Sequence, residues 1–466
     1  MTEPLARSWS DAAPVPFWLD RPDAPEPAEP LAGDTEADLA IVGGGFTGLW
    51  AAIQAKELDP TRDVLLLEQD TVAFGASGRN GGFCDGSLTH GLRNGVDRFP
   101  EEIRTLERLA AENFAGIHDT IERYGIDCDW TPTGTMAVAV EPYQVEQLRG
   151  AAELIRSFDQ RVHLLDRDEV RAEVASPTYL AGVWTPGRTA LVDPARLAWG
   201  LRRAALELGV RIHEHTRATG AEPAGDGVEI ATAGGRVYAR RAILATNAFP
   251  PLARSIRRYV IPVYDYVLMT EPLTPAQMDA IGWRNRQGLA DSGHRFHYYR
   301  LSADDRILWG GYDAIYHYGN AVAPELEDRP ETFDRLARHF FDTFPQLEGI
   351  RFTHRWAGAI DTCSRFCVMW GTSLGGRASY AVGYTGLGVG SSRFGARVAL
   401  DLISGMETEL TKLRFVRSKP TPFPREPLRY AGIQLTRRAI ARSDANEGRR
   451  GPWLRLIDAM GLGFDS

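Results

Sequence analysis

The chain is poor in cysteine. Cys84, Cys128, Cys363 and Cys367 are the four cysteines among 466 residues. So few thiols in so long a chain do not make a disulfide framework, and this usage is typical of a reducing compartment. Cys363 and Cys367 are spaced as two metal ligands could be, but no second Cys or His pair follows at zinc spacing. We therefore expect buried, incidental thiols and no metal site.

Long apolar runs are absent as well. No stretch approaches the ~20 apolar residues that a membrane-spanning helix needs, and residues 1–20 contain no apolar core of a secretory signal. The formal net charge of −8 argues against a nucleic-acid-binding surface, and no basic helix suggests an anionic membrane. These absences predict a cytoplasmic protein with no nucleic-acid or membrane partner. They leave its oligomeric state open.

Lysine is scarce too. It occurs only at Lys56, Lys412 and Lys419, and nearly all the other basic residues are arginines. The rest of the composition is ordinary for a globular protein, with 44% hydrophobic and 24% charged residues. A length of 466 residues is too great for one simple core and predicts two interlocked domains.

A glycine-rich turn is the first positive signal. Residues 38–58 have the pattern of an apolar strand, a G-x-G-x-x-G turn and a helix. Gly43 permits the tight turn, Gly45 lets a pyrophosphate approach the backbone, and Gly48 lets the helix pack closely on the strand. The helix N-terminus offers free N–H groups and a positive dipole end to phosphates. The segment therefore predicts a dinucleotide-binding unit.

An acidic residue ends the second strand pattern. Residues 64–67 are Val-Leu-Leu-Leu, and Glu68 follows about 20 residues beyond the glycines, where a ribose-binding carboxylate is expected. A carboxylate accepts hydrogen bonds from ribose hydroxyls and repels a 2′-phosphate, so NADP is disfavoured. Glu68 does not distinguish NAD from FAD.

A second glycine-rich loop makes that distinction. Residues 75–82 read Gly-Ala-Ser-Gly-Arg-Asn-Gly-Gly, a loop able to pass close to a bulky ligand. The string resembles the loop beneath the flavin ring in the amino-acid and amine oxidase family of FAD enzymes, which includes sarcosine oxidase, glycine oxidase and D-amino-acid oxidase. Within that family it most resembles γ-glutamylputrescine oxidase-like members.

Later segments are similar to the remaining parts of the same family. Residues 193–247 resemble the second half of its FAD-binding domain, and residues 380–403 resemble its last strand, glycine-rich turn and helix. N–H donors at that last helix would favour the negative charge that a reduced flavin gathers. The resemblance implies an α/β fold, α+β overall, in which a split Rossmann-like FAD-binding domain is interleaved with an antiparallel-sheet substrate domain. The expected boundaries are an N-terminal arm at 1–35, an FAD-binding domain at 36–125, 191–250 and 355–410, a substrate domain at 126–190 and 251–354, and a C-terminal tail at 411–466.

The resemblance also implies the residues that hold FAD. They come from all three glycine-rich loops and from the strands beside them. The expected set is Gly43, Gly45, Phe46, Thr47, Gly48, Glu68, Gln69, Gly75, Ala76, Ser77, Arg79, Asn80, Gly81, Gly82, Ala218, Thr246, Gly386, Leu387, Gly388 and Val389.

Family membership would imply oxidation of an amine or amino acid. A hydride would pass from the carbon beside nitrogen to flavin N5, the imine would hydrolyse, and the electrons would pass to dioxygen, giving H2O2, or to another acceptor. No strong base is needed if the amine binds neutral, so no catalytic residue is assigned. Aromatic strands predict the substrate contacts Tyr264 and Tyr299, with Arg300 as a carboxylate anchor and Trp356 nearby.

Two departures from better-known relatives affect the chemistry. Arg79 stands where relatives with covalent flavin have a histidine, and no cysteine lies within 356–362, so non-covalent FAD is expected, with Cys363 as the alternative attachment site. Leu308 stands where sarcosine oxidase has an oxygen-activating lysine, which predicts slow reaction with dioxygen unless Arg79 or Arg300 supplies the charge. Two other functions stay open: an NAD-dependent dehydrogenase and a non-catalytic flavin-binding subunit.

Overall fold

The computed structural model describes residues 8–460 and 462. Its strands are β1 Thr35–Val42, β2 Val64–Leu67, β3 Phe83–Asp85, β4 Thr135–Ala139, β5 His163–Leu165, β6 Ala181–Thr185, β7 Thr189–Leu191, β8 Arg211–His213, β9 Ala218–Ala224, β10 Gly227–Thr232, β11 Arg236–Leu244, β12 Ile261–Thr270, β13 Gly288–Asp291, β14 His297–Leu301, β15 Ile307–Gly311, β16 Ile315–Tyr316, β17 Phe352–Thr362, β18 Met369–Ser373 and β19 Ala378–Val382. Its main helices are α1 Phe46–Leu58, α2 Leu92–Arg98, α3 Ile103–Arg123, α4 Pro142–Arg156, α5 Arg167–Glu173, α6 Pro194–Glu207, α7 Pro275–Ile281, α8 Pro330–Thr343, α9 Gly388–Ile403, α10 Glu409–Lys412, α11 Arg414–Arg417, α12 Leu428–Asp444 and α13 Pro452–Ala459.

The first sheet has a parallel centre. Its order is β18-β19-β11-β1-β2-β8, with all neighbours parallel except β18 and β19, and the β9–β10 hairpin extends from β11. Along β1, Leu39 and Ile41 pack in the core that contains α1, α6 and α9. Ala40 and Val42 pack in the opposite core, against the hairpin. Both faces of β1 are therefore buried, as expected for the centre of a parallel sheet.

The second sheet is almost entirely antiparallel. Its order is β16-β12-β15-β14-β13-β4-β6-β5, and β17 pairs along β12. Among the described strands of this sheet, β4 and β13 are the parallel pair. Apolar residues of α8, including Phe333 and Phe340, pack on the face of this sheet opposite to the one that carries Val267 and Leu308. The two interleaved sheets confirm the predicted fold class.

Two expected boundaries need correction. Residues 355–362 belong to β17 and pair along β12, so this part of the third FAD segment lies in the second sheet. The C-terminal segment, expected as a tail, forms α11 to α13 within its described part. Residues 8–34 of the expected arm run across the surface, where Trp9 and Trp18 are buried, and residues 1–7 lie outside the described residues. None of the described helices has the length and apolarity needed to cross a bilayer.

Candidate active site

One large cavity lies where the two sheets and the C-terminal helices meet. Its volume is about 1590 Å³. The ends of β1, β2 and β11 line one part of it, β12 and β17 line another, and α12 and α13 close the third side. Pockets for a single small ligand are commonly about 300–1,000 Å³. The cavity therefore has room for a dinucleotide and a second molecule together.

The first glycine-rich loop forms a close-packed turn at one end of this cavity. Gly43 has a φ of 114°, and a Cβ there would lie 2.4 Å from the carbonyl oxygen of Ala245. A Cβ at Gly48 would lie 1.9 Å from the carbonyl oxygen of Gly43. The N-cap residue of α1 is Gly45, which has no side chain to cap the helix. Of the first N–H groups of α1, that of Phe46 donates to Ser77 Oγ at 2.9 Å. The helix N-terminus is therefore available to phosphate oxygens.

Glu68 holds this turn in place from the end of β2. Its Oε2 accepts the Gly44 N–H at 2.7 Å, and its Oε1 accepts the Asp70 N–H at 3.0 Å. Burial raises the pKa of Glu68, while the two N–H donors act against that rise. A carboxylate oxygen has more than one acceptor position. Each oxygen can therefore also accept a bond from a ribose hydroxyl in the cavity.

The second glycine-rich loop is rigidly anchored. Asn80 Nδ2 donates to the carbonyl oxygens of Ala76 and Ser77, both at 2.9 Å, and its Oδ1 accepts the Gly82 N–H. The guanidinium of Arg79 donates to the carbonyl oxygen of Ala357 at 3.0 Å and forms an ion pair with Glu327. The loop is thereby fixed against β17 at the floor of the cavity.

The third glycine-rich loop leads into α9. Its residue Gly383 has a φ of 82° and donates its N–H to the buried carboxylate of Asp361 at 2.6 Å. Burial raises the pKa of Asp361 to about 7. Thr47 Oγ1, from the first loop, donates to the hydroxyl of Tyr384 at 2.9 Å. The loops therefore form one contiguous wall.

Most of the predicted cofactor residues lie on this wall. All of them line the cavity except Gly48 and Gly82. Gly48 lies instead at the contact of α1 with β1, and a Cβ at Gly82 would lie 2.2 Å from the carbonyl oxygen of Val192. These two positions require glycine for packing. Direct contact of the others with FAD stays a prediction.

One of the four residues predicted to contact substrate lines the cavity. Tyr264 lines the cavity, whereas Tyr299, Arg300 and Trp356 do not. The Tyr299 hydroxyl shares a hydrogen bond of 2.7 Å with Tyr179 inside the second core. Arg300 donates to the carbonyl oxygens of Gly82 and Val192. The expectation that Tyr299, Arg300 and Trp356 contact substrate is therefore corrected: their side chains lie outside the cavity lining and contact other protein groups.

Trp356 has a comparable supporting contact. Its Nε1 donates to the carbonyl oxygen of Arg79 at 2.8 Å, and its ring packs with Trp18 and Leu308. This bond fixes the backbone of the second loop against β17. Trp356 therefore acts on the site through Arg79.

Two residues that the motifs did not reveal are central to the cavity. Asp265 of β12 accepts a hydrogen bond from the hydroxyl of Tyr298, and both residues line the cavity. The Tyr298 ring lies so close to Gly81 and Gly310 that a Cβ at either would be within 2.7 Å of it. Burial raises the pKa of Asp265 to about 6. A single acid between two tyrosines of an aromatic strand was the available sequence signal.

The fold and the three loops together define a two-domain dinucleotide-binding protein whose cavity extends under a second sheet. Comparison with known families makes this specific, because residues 38–402 match the model described as DAO, FAD dependent oxidoreductase. The chain belongs to this family of FAD-dependent enzymes. The family membership replaces the two alternatives left open, an NAD-dependent dehydrogenase and a non-catalytic subunit.

The chain is similar to several known proteins along most of its length. It is 31% identical over 389 residues to gamma-glutamylputrescine oxidoreductase of Escherichia coli (strain K12), which covers 81% of this chain and 86% of the relative. It is 28% identical over 394 residues to the probable oxidoreductase OrdL of Haemophilus influenzae (strain ATCC 51907 / DSM 11121 / KW20 / Rd), with 82% and 86% covered. In fold it is similar to the crystal structure of glycine oxidase from Geobacillus kaustophilus, with a TM-score of 0.67 at 20% identity and with 83% and 99% covered.

We expect the FAD to be bound without a covalent bond. The thiol of Cys363 lines the cavity, but it donates to the carbonyl oxygens of Cys367 and Gly383 at 3.2 and 3.4 Å. Burial raises the pKa of this thiol, so the nucleophilic thiolate is disfavoured. Acid denaturation of the purified protein should release all the flavin to the supernatant. Yellow colour retained in the pellet of wild type, but lost in Cys363→Ser, would contradict this prediction.

Proposed function

We propose that this enzyme oxidises an amine or amino acid at the carbon next to nitrogen. The observation that carries the proposal is the position of Asp265, a carboxylate in the same cavity as the three glycine-rich loops. The relatives named gamma-glutamylputrescine oxidoreductase and glycine oxidase support an amine or amino-acid substrate. Bound FAD would supply the hydride acceptor, N5 of its ring.

The chain's own residues would position the amine. Tyr298 contacts Gly81 of the second loop, so its partner Asp265 lies beside the wall assigned to the flavin. The Asp265 carboxylate would accept an N–H bond from the substrate and take the proton that an ammonium must lose before oxidation. Val263, Tyr264 and Ala359 from β12 and β17 line the cavity around it and would exclude water from the reacting carbon.

Reduction of the flavin by substrate tests this proposal. The enzyme should be mixed anaerobically with a panel of amines, N-methyl amino acids and amino acids. At least one of them should abolish the absorbance of the oxidised flavin at roughly 450 nm, a wavelength that the cofactor determines. Alcohols, thiols and NADH serve as the matched negative panel. If only members of the negative panel bleach the flavin, the substrate class is wrong.

We further propose that dioxygen is a slow electron acceptor and that another acceptor serves the enzyme. No lysine is among the residues that line the cavity in the described part of the chain. Leu308 is fully buried with Trp18 and Trp356 and does not face the cavity, so a lysine at 308 would lie in the apolar core. The charge of Arg79 is offset by Glu327. A nearby uncompensated cation, which would stabilise superoxide, is therefore missing from the second loop.

Stopped-flow reoxidation of the reduced enzyme checks this prediction. Wild type should reoxidise slowly in air and faster with an artificial acceptor such as a quinone. Glu327→Gln should accelerate reoxidation by dioxygen several-fold, because it frees the charge of Arg79. Glu331→Gln, which removes an exposed acid paired with Arg329, is the control and should change nothing. Rapid reoxidation of wild type that neither substitution alters would refute the proposal.

A further inference from the structure

An N-terminal arm, residues 8–34, crosses the surface from one sheet to the other. At the second sheet, the Ala13 N–H donates to the carbonyl oxygen of Thr353 at 2.8 Å. Beside the first sheet, the Leu31 N–H donates to Thr216 Oγ1 at 2.9 Å. The arm is therefore anchored on both sides of its middle part.

Trp18, in the middle of the arm, reaches the second glycine-rich loop. Only 2% of Trp18 is exposed, and its ring packs with Leu308 and Trp356. Its Nε1 donates to the carbonyl oxygen of Asn80 at 2.9 Å. Trp18 itself does not line the cavity. The Asn80 carbonyl therefore points into a packed core behind the loop.

The neighbouring carbonyl groups of the loop are bound from the same side. The indole Nε1 of Trp356 donates to the carbonyl oxygen of Arg79 at 2.8 Å. Arg300 Nη1 donates to the carbonyl oxygen of Gly82 at 3.2 Å. Neither donor side chain lines the cavity. The loop is therefore held through its carbonyl oxygens by groups that a ligand does not reach.

These bonds determine the direction of the N–H groups in the loop. The Arg79–Asn80 and Asn80–Gly81 peptide bonds are trans. In a planar trans peptide the carbonyl and the following N–H point in opposite directions. With both carbonyls directed at indoles, the N–H groups of Asn80 and Gly81 point to the other side, where both residues line the cavity. In the described part of the chain neither N–H has an acceptor.

Two fixed N–H groups without an acceptor suit a ligand that brings one. The ring of FAD fits this requirement, because it carries carbonyl oxygens and a ring nitrogen that accept hydrogen bonds. Donors that are already held in place lose little freedom when the ligand binds. They also stabilise the negative charge that a flavin gathers on reduction. The direction of these N–H groups therefore affects both the affinity for FAD and its reduction.

We infer that Trp18 is a positioning residue of the flavin site: through the Asn80 carbonyl, it directs the Gly81 N–H toward an acceptor atom of the flavin ring. The arm precedes residues 38–402, the segment that matches the family, so family membership gives the arm no role. The inference rests on FAD binding and not on the proposed amine oxidation. Either can therefore fail without the other.

Trp18→Phe tests the inference in substrate-free protein. Phenylalanine keeps an aromatic ring in the core but removes the indole N–H, so the Asn80–Gly81 peptide is no longer held. Loss of one neutral hydrogen bond should raise the Kd of FAD by about 2- to 10-fold. The visible absorbance of the bound flavin should shift, and its midpoint potential should become more negative. Trp356→Phe, which releases the preceding peptide, should shift the absorbance and the potential in the same directions.

Trp9→Phe is the matched control. Trp9 is a second buried tryptophan of the arm, and its Nε1 donates to Asp334 Oδ1 of α8 at 3.0 Å. Its loss removes an indole bond of the arm at a distance from the loop, so the Kd, absorbance and potential should stay as in wild type. No change in Trp18→Phe, or equal changes in Trp9→Phe and Trp18→Phe, would overturn the inference.

Proteolysis of wild type decides the matter if Trp18→Phe does not fold. Coupling between two sites is reciprocal, so FAD must hold the arm as the arm holds the loop. Endoproteinase Asp-N should cleave before Asp20 several-fold more slowly in FAD-loaded protein than in apoprotein. Cleavage before Asp226, an exposed residue outside the arm and the cavity lining, should be equally fast in both. Equal cleavage before Asp20 in the two forms would contradict the inference.

Discussion

Replacing Gly48 by alanine is expected to weaken the binding of FAD, so that the purified protein retains less flavin than wild type. The new Cβ would lie 1.9 Å from the carbonyl oxygen of Gly43 and 3.2 Å from Cγ2 of Ile41. Ile41 belongs to the central strand β1, which pairs with β2 and β11, and it is fully buried. Residues on all sides of α1 are also buried. Neither the strand nor the helix can move aside without disturbing a packed core.

The loop that begins at Gly43 is the part left to move, and it forms the phosphate side of the cavity. Overpacking of this kind costs about 1–3 kcal/mol. If that cost falls on the binding-competent loop, the affinity for FAD drops by roughly 5- to 150-fold. Flavin absorbance per mole of purified protein and the Kd from titration of the apoprotein measure the effect.

Gly150→Ala is the matched control. Gly150 also lies within a helix, α4, but a Cβ there would meet no atom within 4 Å. Alanine in an open helix position should stabilise the protein by about 0.5–1 kcal/mol and leave the flavin content unchanged. Full flavin content in Gly48→Ala, with an unchanged Tm, would show that the packing of α1 on β1 is not as tight as the structure indicates.

Features with a local physical cause could be predicted from the sequence. The strand, turn and helix of residues 38–58 follow from apolar patterning and from a turn whose backbone path only glycine can follow. The helix that begins at Pro194 is another example: Asp193 Oδ1 accepts the Arg196 N–H at 3.0 Å, as expected of an N-cap before proline. Such signals lie within a few residues of each other in the chain.

Which face of each aromatic strand meets the cavity could not be predicted in the same way. The period of two in β14 puts Tyr298 and Tyr299 on opposite faces, but it does not say which face meets the cavity. The structure shows that Tyr298 lines the cavity and that the ring of Tyr299 packs on Phe344, which directly follows α8 and lies some forty-five residues later in the chain. The face that meets the cavity is determined by contacts between residues distant in sequence, so local patterns alone do not predict it.

Arg300 and the C-terminal helices illustrate the same limit. The guanidinium of Arg300 is buried against two backbone carbonyls from separate segments, and burial lowers its pKa to about 10. No local pattern indicates those partners. Likewise α12 has a polar, arginine-rich sequence, and its place over the cavity depends on bonds such as that of Asp444 with His294 at 2.8 Å. Residues brought together by tertiary packing thus complete a site whose loops are readable from sequence.

Replacing Asp265 by asparagine should produce the largest loss of turnover that leaves the flavin bound. Asparagine keeps the shape of the side chain but removes the charge that would hold the substrate amine. A charge-assisted hydrogen bond contributes about 1.5–3 kcal/mol, so kcat/KM should fall by roughly 10- to 150-fold. Unchanged flavin absorbance of the variant would show that the fold and the cofactor site are intact.

The pH dependence separates this role from a structural one. Burial raises the pKa of Asp265 to about 6, so the carboxyl is protonated below that pH and ionised above it. Because the ionised form is the one that accepts the amine proton, kcat/KM of wild type should rise as the pH increases through about 6 and then level off. Asp265→Asn has no such group and should lack that rise.

Tyr298→Phe gives the decisive comparison. Phenylalanine preserves the ring packed on Gly81 and Gly310, but it removes the hydroxyl that donates to Asp265 and lowers its pKa. The rising limb should therefore move to higher pH in this variant, while kcat at high pH stays near that of wild type. A limb that stays in place in Tyr298→Phe, or that persists in Asp265→Asn, would assign the titration to another group. In that case Asp361, whose pKa burial raises to about 7 at the third glycine-rich loop, is the next carboxyl to test, by Asp361→Asn.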